Sequence, residues 1–249
     1  VVGVLLLAGC SQGQAPEKPV ARHGIFRVTF AEPSRKLESS AKQLKSSGMI
    51  QFAVRKLNNK YRLLRDVTIQ GRSCADGAAY DPNTLTIDYC YESLAEDRQL
   101  LKEAKDTTAD ITLAGIIVET IYHEAGHAFI DAYDMPFTGH EEDVADQFAA
   151  FMLLDHSDAE SDHLLSAAYD YELLFDTYDQ GDSSDEHAPD DRRASNYLCY
   201  AYGSDPKGYA DVVDDEWLTK ERANYCPDEW REVKRGWSAL LRNAVGAIR

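Results

Sequence analysis

His123, Glu124 and His127 are the residues of this chain whose types and spacing can do chemistry. On an α-helix, side chains four positions apart point about 40° from one another and sit one turn apart along the axis, so the two imidazoles can meet a single ion. Glu124, about 100° further round, falls outside that pair but can reach a water at an open position of the ion, which is the placement of a general base. The segment that must carry them spans 111–133, ITLAGIIVETIYHEAGHAFIDAY. It lacks proline and is apolar on nearly every face, the pattern of a helix buried in a core. Burying three polar groups there without partners costs several kcal/mol, so the composition itself calls for something that binds them. Gly126 costs about 1 kcal/mol against alanine in a helix interior and marks the close approach of a neighbouring element.

Two histidines leave a catalytic divalent ion one protein ligand short. The segment that can supply it is 138–154, TGHEEDVADQFAAFMLL, which follows a turn at Pro136 and Gly139. Thr138 and Glu141 stand in capping-box register, which assigns Glu141 to the free amides of a second helix and leaves Glu142 for the ion. Asp146, four residues beyond on the same face, can accept the outer N–H of a ligand histidine and fix its tautomer. The small side chains of Ala145 and Ala149 let the two helices approach. His140 is the runner-up ligand but precedes the helix. The run Glu141 to Asp143 also suits the positive end of a helix without any ion.

Around this centre the pattern predicts an α+β fold: a small N-terminal β-sheet packed on the buried histidine-bearing helix, and a mainly helical C-terminal half. Phe26, Val28 and Phe30 alternate as a strand does, Val67 with Ile69 and Leu85 with Ile87 and Tyr89 mark two more, and Asp81-Pro82-Asn83 supplies turn chemistry. Ile50, Val54 and Leu57 recur at helical spacing, and Ser93 with Glu96 reads as a capping box opening another helix. A helix through Tyr197, Leu198 and Ala201 is expected to end at Gly203, and Trp230, Val233, Trp237 and Leu241 read as a packed helical stripe. His156 and His163 read as a solvated face, and 179–191 as an acidic loop. Hydrophobic residues make up 44% and charged residues 28% of 249, which excludes collagen-like and disordered classes. The formal charge of −17 repels phosphate backbones, so nucleic acid is not an expected partner.

His123-Glu124-Ala125-Gly126-His127 matches the HExxH motif of zinc metallopeptidases. With Glu142 and, four residues later, Asp146, the sequence resembles the gluzincin branch of the zincins. More narrowly, SCADGAAYDPNTLTIDYCYE at 73–92, YHEAGHAFIDAYDMPFTGHEEDVADQFAA at 122–150 and HAPDDRRASNYLCYAYGSDP at 187–206 resemble a bacterial metallopeptidase family of unknown function. The resemblance implies a zincin-like domain over 22–249. In it Zn²⁺ is held by His123, His127 and Glu142, Glu124 is the catalytic base, and Asp146 stands behind the ligands. It further makes His187, or less favourably Tyr197, the donor to the developing oxyanion, and a peptide or protein the substrate. Residues 78–91 are a candidate sheet edge for an extended substrate. The alternative is a non-catalytic zincin-fold lipoprotein serving as a binding or structural module; retention of Glu124 beside the ligands favours the enzyme.

Leu7-Ala8-Gly9-Cys10 resembles the lipobox of bacterial lipoproteins. Residues 1–10 then read as the remnant of a signal peptide with lipidation at Cys10, and 11–21 as a polar tether. The expected location is the bacterial cell envelope, lipid-anchored on the periplasmic face of the outer membrane, which Ser11 favours. The apolar run is far shorter than the ~20 residues needed to span a bilayer. Cys74, Cys90, Cys199 and Cys226 remain, an even number for an oxidising compartment. Of three connectivities the local one, Cys74 with Cys90 and Cys199 with Cys226, is preferred.

Overall fold

The computed structural model describes residues 23–75, 77–154, 158–178, 186–215 and 217–245. The expected lipidation site and tether lie outside them, as do His156 and residues 179–185 of the acidic loop. Among the described residues no helix is long and apolar enough to cross a membrane.

Four strands form one sheet in the order β1 (Phe26–Phe30), β2 (Val67–Arg72), β4 (Thr86–Cys90), β3 (Ala79–Asp81). β1, β2 and β4 run parallel, with Val28 opposite Ile69 and Ile69 opposite Ile87, whereas β3 returns antiparallel on the far edge. Parallel strands need a crossover. Helices α1 (Glu38–Ser47) and α2 (Met49–Lys60) supply it between β1 and β2, the latter burying Ile50, Val54 and Leu57. The β3–β4 hairpin turns at Asp81, whose carboxylate accepts from the Asn83 amide at 2.8 Å, the local bond that makes such residues turn formers.

β4 runs directly into α3 (Tyr91–Glu103). The capping box expected at Ser93 therefore does not form: Cys90 is the N-cap without a capping side chain, and Glu96 instead accepts from the Tyr178 hydroxyl at 2.8 Å. Next come α4 (Ala109–Tyr133), α5 (Glu141–Leu154), α6 (Asp158–Tyr178) and α7 (Asp190–Ser204), then the short α8 (Asp211–Asp214) and α9 (Lys220–Ala223), and last α10 (Cys226–Val245). α4 is the central rod. It packs on β3, β4 and α2 and is flanked by α5 and α6, which is why Val118, Ile121, Tyr122, Ala125 and Phe129 are all fully buried. The architecture is α+β, with a helical C-terminal half.

Gly126 sits where α5 crosses α4. A Cβ there would stand 3.1 Å from Phe148 Cβ and 3.2 Å from Ala145 Cα. Gly126→Val forces the two helices apart and is expected to destabilise by about 1–3 kcal/mol, read as a lowered thermal midpoint.

Both disulfides follow the local connectivity, Cys74–Cys90 and Cys199–Cys226. The first ties the segment after β2 to the end of β4, the second α7 to the start of α10; each contributes roughly 3 kcal/mol on the loop-entropy account. Gly203 does not end α7, which continues to Ser204. A Cβ at Gly203 would lie 2.3 Å from the Cys226 carbonyl oxygen, so this glycine serves the α7–α10 approach. The Trp230, Val233, Trp237, Leu241 stripe does pack inward, and the Trp237 indole donates to the Val144 carbonyl at 3.2 Å. His163, read as solvated, is half-buried edge-on to Phe52, because that face of α6 lies against the core.

Candidate metal centre

α4 and α5 cross at Gly126, so residues one turn either side of the crossing face each other. His123 and His127 of α4 meet Glu142 of α5: Glu142 Oε2 lies 3.0 Å from His123 Nε2 and 3.2 Å from His127 Nε2, and the two Nε2 atoms are 3.2 Å apart. These are the residues whose spacing pointed to a common ion. Behind them each ring is held by a carboxylate. His123 Nδ1 donates to Asp146 Oδ1 at 2.8 Å, and His127 Nδ1 to Glu141 Oε1 at 2.8 Å. Glu141 is thus not spent on helix amides. It is the first residue of α5, and its carboxylate reaches across to the α4 ring.

With both Nδ1–H bonds spent outward, each neutral ring turns a lone pair at Nε2 toward the other ring and toward a carboxylate oxygen. Three electron-rich atoms so close repel unless positive charge sits among them. Burial opposes charge on His123, but Asp146 and Glu142 outweigh it and push its pKa up to about 10; His127 is raised for similar reasons. Burial likewise opposes charge on Glu142, yet three imidazoles hold its carboxyl far below the usual range. Two imidazoles and a carboxylate form a donor set suited to a divalent transition ion, zinc foremost. Among the described residues His123, His127 and Glu142 are a group whose ligand atoms all lie within 4.8 Å of one another.

Asp146 is itself gripped from α7. Arg193 donates to both its oxygens, at 2.9 and 2.7 Å, while its guanidinium lies 4.1 Å from the Tyr171 ring centre. Tyr197 is buried with its hydroxyl on Glu119 and 3.2 Å from Asp146, so it faces the support of the site and not a substrate, against the expectation that it could serve an oxyanion. Arg193 and Glu119 went unnoticed in the sequence. Glu119 stands four residues before His123 on the same stripe of a buried helix, and Arg193 four before Tyr197; that spacing was the available signal.

Glu124 is 5% exposed and takes no part in the donor set. It lines two clefts that also share Ala78, His123 and His187. One of about 520 Å³ is bounded by β3 and the His127 side, the other of about 270 Å³ by α3, α4 and α6. β3 is the sheet edge beside the site, within the segment expected to border a substrate. His187, from the turn before α7, reaches in at the mouth: its Nε2 is 2.9 Å from Glu142 Oε2 and its ring stacks on His123 with centres 5.9 Å apart. The hydrogen bond to Glu142 raises its pKa. His140, the alternative ligand, precedes α5 and is outside the donor group.

No curated protein and no solved structure matches this chain. Residues 31–241 match the model of a family described as "Putative metallopeptidase" (DUF4344), a span that takes in both clefts and both disulfides, and the chain belongs to that family.

Proposed function

We propose that the protein is a zinc-dependent peptidase of zincin type, lipid-anchored through Cys10 to the periplasmic face of a bacterial outer membrane, with residues 11–21 as the tether. The observation that carries the catalytic part is the convergence of His123 Nε2, His127 Nε2 and Glu142 Oε2 beside a carboxylate that is not part of their group. Zinc held by those three residues would supply Lewis acidity, acidifying water and polarising the scissile carbonyl. Glu124, opening into both clefts, takes the proton of the attacking water and returns it to the leaving amine. Asp146 and Glu141 keep both imidazoles in the tautomer that presents Nε2. His187 offers an N–H to the tetrahedral oxyanion from the mouth of the site.

The test is metal content by elemental mass spectrometry together with cleavage of an unstructured protein, before and after chelation. One zinc per chain and chelator-sensitive cleavage are expected. Stoichiometric zinc without cleavage of any member of a broad peptide library replaces this reading with the binding module. His187→Ala separates the two further. A donor to the oxyanion predicts kcat/KM lower by about 10²–10³ with zinc content unchanged, whereas a fourth ligand in a closed structural site predicts loss of zinc.

A further inference from the structure

The smaller cleft holds acids that the mechanism above does not use. It follows one stripe of α4, from Ile116 through Glu119 to His123 and Glu124, a run of about 12 Å at helical rise. Asp97 of α3 and Asp170 of α6 line it, with Glu96 beside them. Asp97 is 8% and Asp170 5% exposed, and Asp170 Oδ1 is buried without a hydrogen-bond partner among the described residues. Arg193 also borders the cleft, but its guanidinium is committed to Asp146 at 2.7 and 2.9 Å. Burial, then Glu119, Asp190 and Glu96, push the pKa of Asp170 up to about 7. Burial, then Asp170 and Glu96, raise Asp97 well above the carboxylate range. A polar group left so placed in a core is expensive, whereas in a cleft that opens beside the catalytic base it is poised for an incoming donor.

We propose that this cleft is the specificity subsite and that it takes a lysine or arginine side chain of the peptide, next to the bond that is cut. The inference rests on the peptidase reading of the adjoining site. Ile116 and Leu174 offer apolar walls for the methylene stem, and Asp97 and Asp170 receive the charged head. An ammonium or guanidinium supplies the donor that Asp170 Oδ1 lacks and lets both acids ionise against it. An apolar side chain leaves that oxygen unsatisfied, and an acidic one is set among the five carboxyl groups that line the cleft.

Two measurements test this. Calorimetry with Nα-acetyl-arginine amide and Nα-acetyl-norleucine amide on the zinc-loaded protein should show at least tenfold tighter binding of the arginine compound. That preference should fall below twofold in Asp170→Asn and in Asp97→Asn, both isosteric with the protonated acid. Equal binding of the two compounds by the wild-type protein, or an arginine preference that survives both substitutions, overturns the proposal. Mass spectrometry of cleavage products from an unstructured protein should place lysine or arginine on one fixed side of the cut sites. Cleavage without such enrichment also overturns it. If arginine is preferred in binding while nothing is cleaved, the subsite stands and the peptidase reading falls.

Discussion

Glutamine in place of Glu124 is expected to leave one zinc per chain and to lower peptide hydrolysis by about 10²–10⁴-fold in kcat, the range for removal of a positioned proton acceptor. Metal binding survives because Glu124 is outside the group formed by His123, His127 and Glu142. The fold survives because glutamine has nearly the same volume and helix propensity and the residue sits mid-α4 at 5% exposure. Turnover does not survive, since an amide can hydrogen-bond to water but cannot accept its proton. Position makes the loss general: Glu124 lines both clefts, so a chain laid from one to the other passes it whichever side chains it carries. Elemental analysis, a thermal melt and kcat with one fluorogenic peptide check all three statements. Zinc lost with activity would make Glu124 a ligand, and activity retained would place the base elsewhere.

The residues of the candidate donor set were the ones legible in the sequence, because helical periodicity alone brings His123 and His127 to one face and Glu142 and Asp146 to another. Composition also carried the burial of α4, and the spacing of cysteines the local disulfides. What escaped depends on chain crossings that no periodicity encodes. Glu141 looked like a helix cap because its register with Thr138 fits one, yet α5 starts at Glu141 and its carboxylate finds His127 across the α4–α5 crossing. Arg193 and Tyr197 reach Asp146 only because α7 lies behind α5. Asp97 and Asp170 lie more than seventy residues apart and meet one cleft only in three dimensions. His187 was a candidate by resemblance, and its approach to Glu142 is a property of the turn before α7.

Asp146→Ala is expected to do two separable things. It strips the Arg193 guanidinium, 11% exposed as a side chain, of both carboxylate oxygens and leaves it stacked on the Tyr171 ring without its hydrogen-bonded counter-charge. Removing one partner of a buried ion pair destabilises by about 3–5 kcal/mol. For a chain of this size that is a fall of roughly 6–20 °C in thermal midpoint. It also frees His123 Nδ1, so the ring is no longer held with Nε2 toward Glu142, and zinc affinity should drop about 10–100-fold. The paired variant Asp146→Leu with Arg193→Met tells the effects apart: replacing both charges by apolar groups restores much of the stability, yet nothing restores the orientation of His123, so affinity stays low. Should the paired variant recover zinc along with stability, Asp146 acts through packing and not through the imidazole. Acid gives a reversible version of the stability loss. Burial opposes the Asp146 charge, but Arg193 and His123 hold its folded pKa well below the usual carboxylate range. Its stabilisation is therefore complete above the unfolded pKa of about 3.9 and disappears as pH falls through the lower folded value. The gap in midpoint between wild type and Asp146→Ala should accordingly narrow on the acid side of about pH 4 and stay constant from there to about pH 6.5, above which His123, whose charged form Asp146 supports, begins to lose its proton in the metal-free protein.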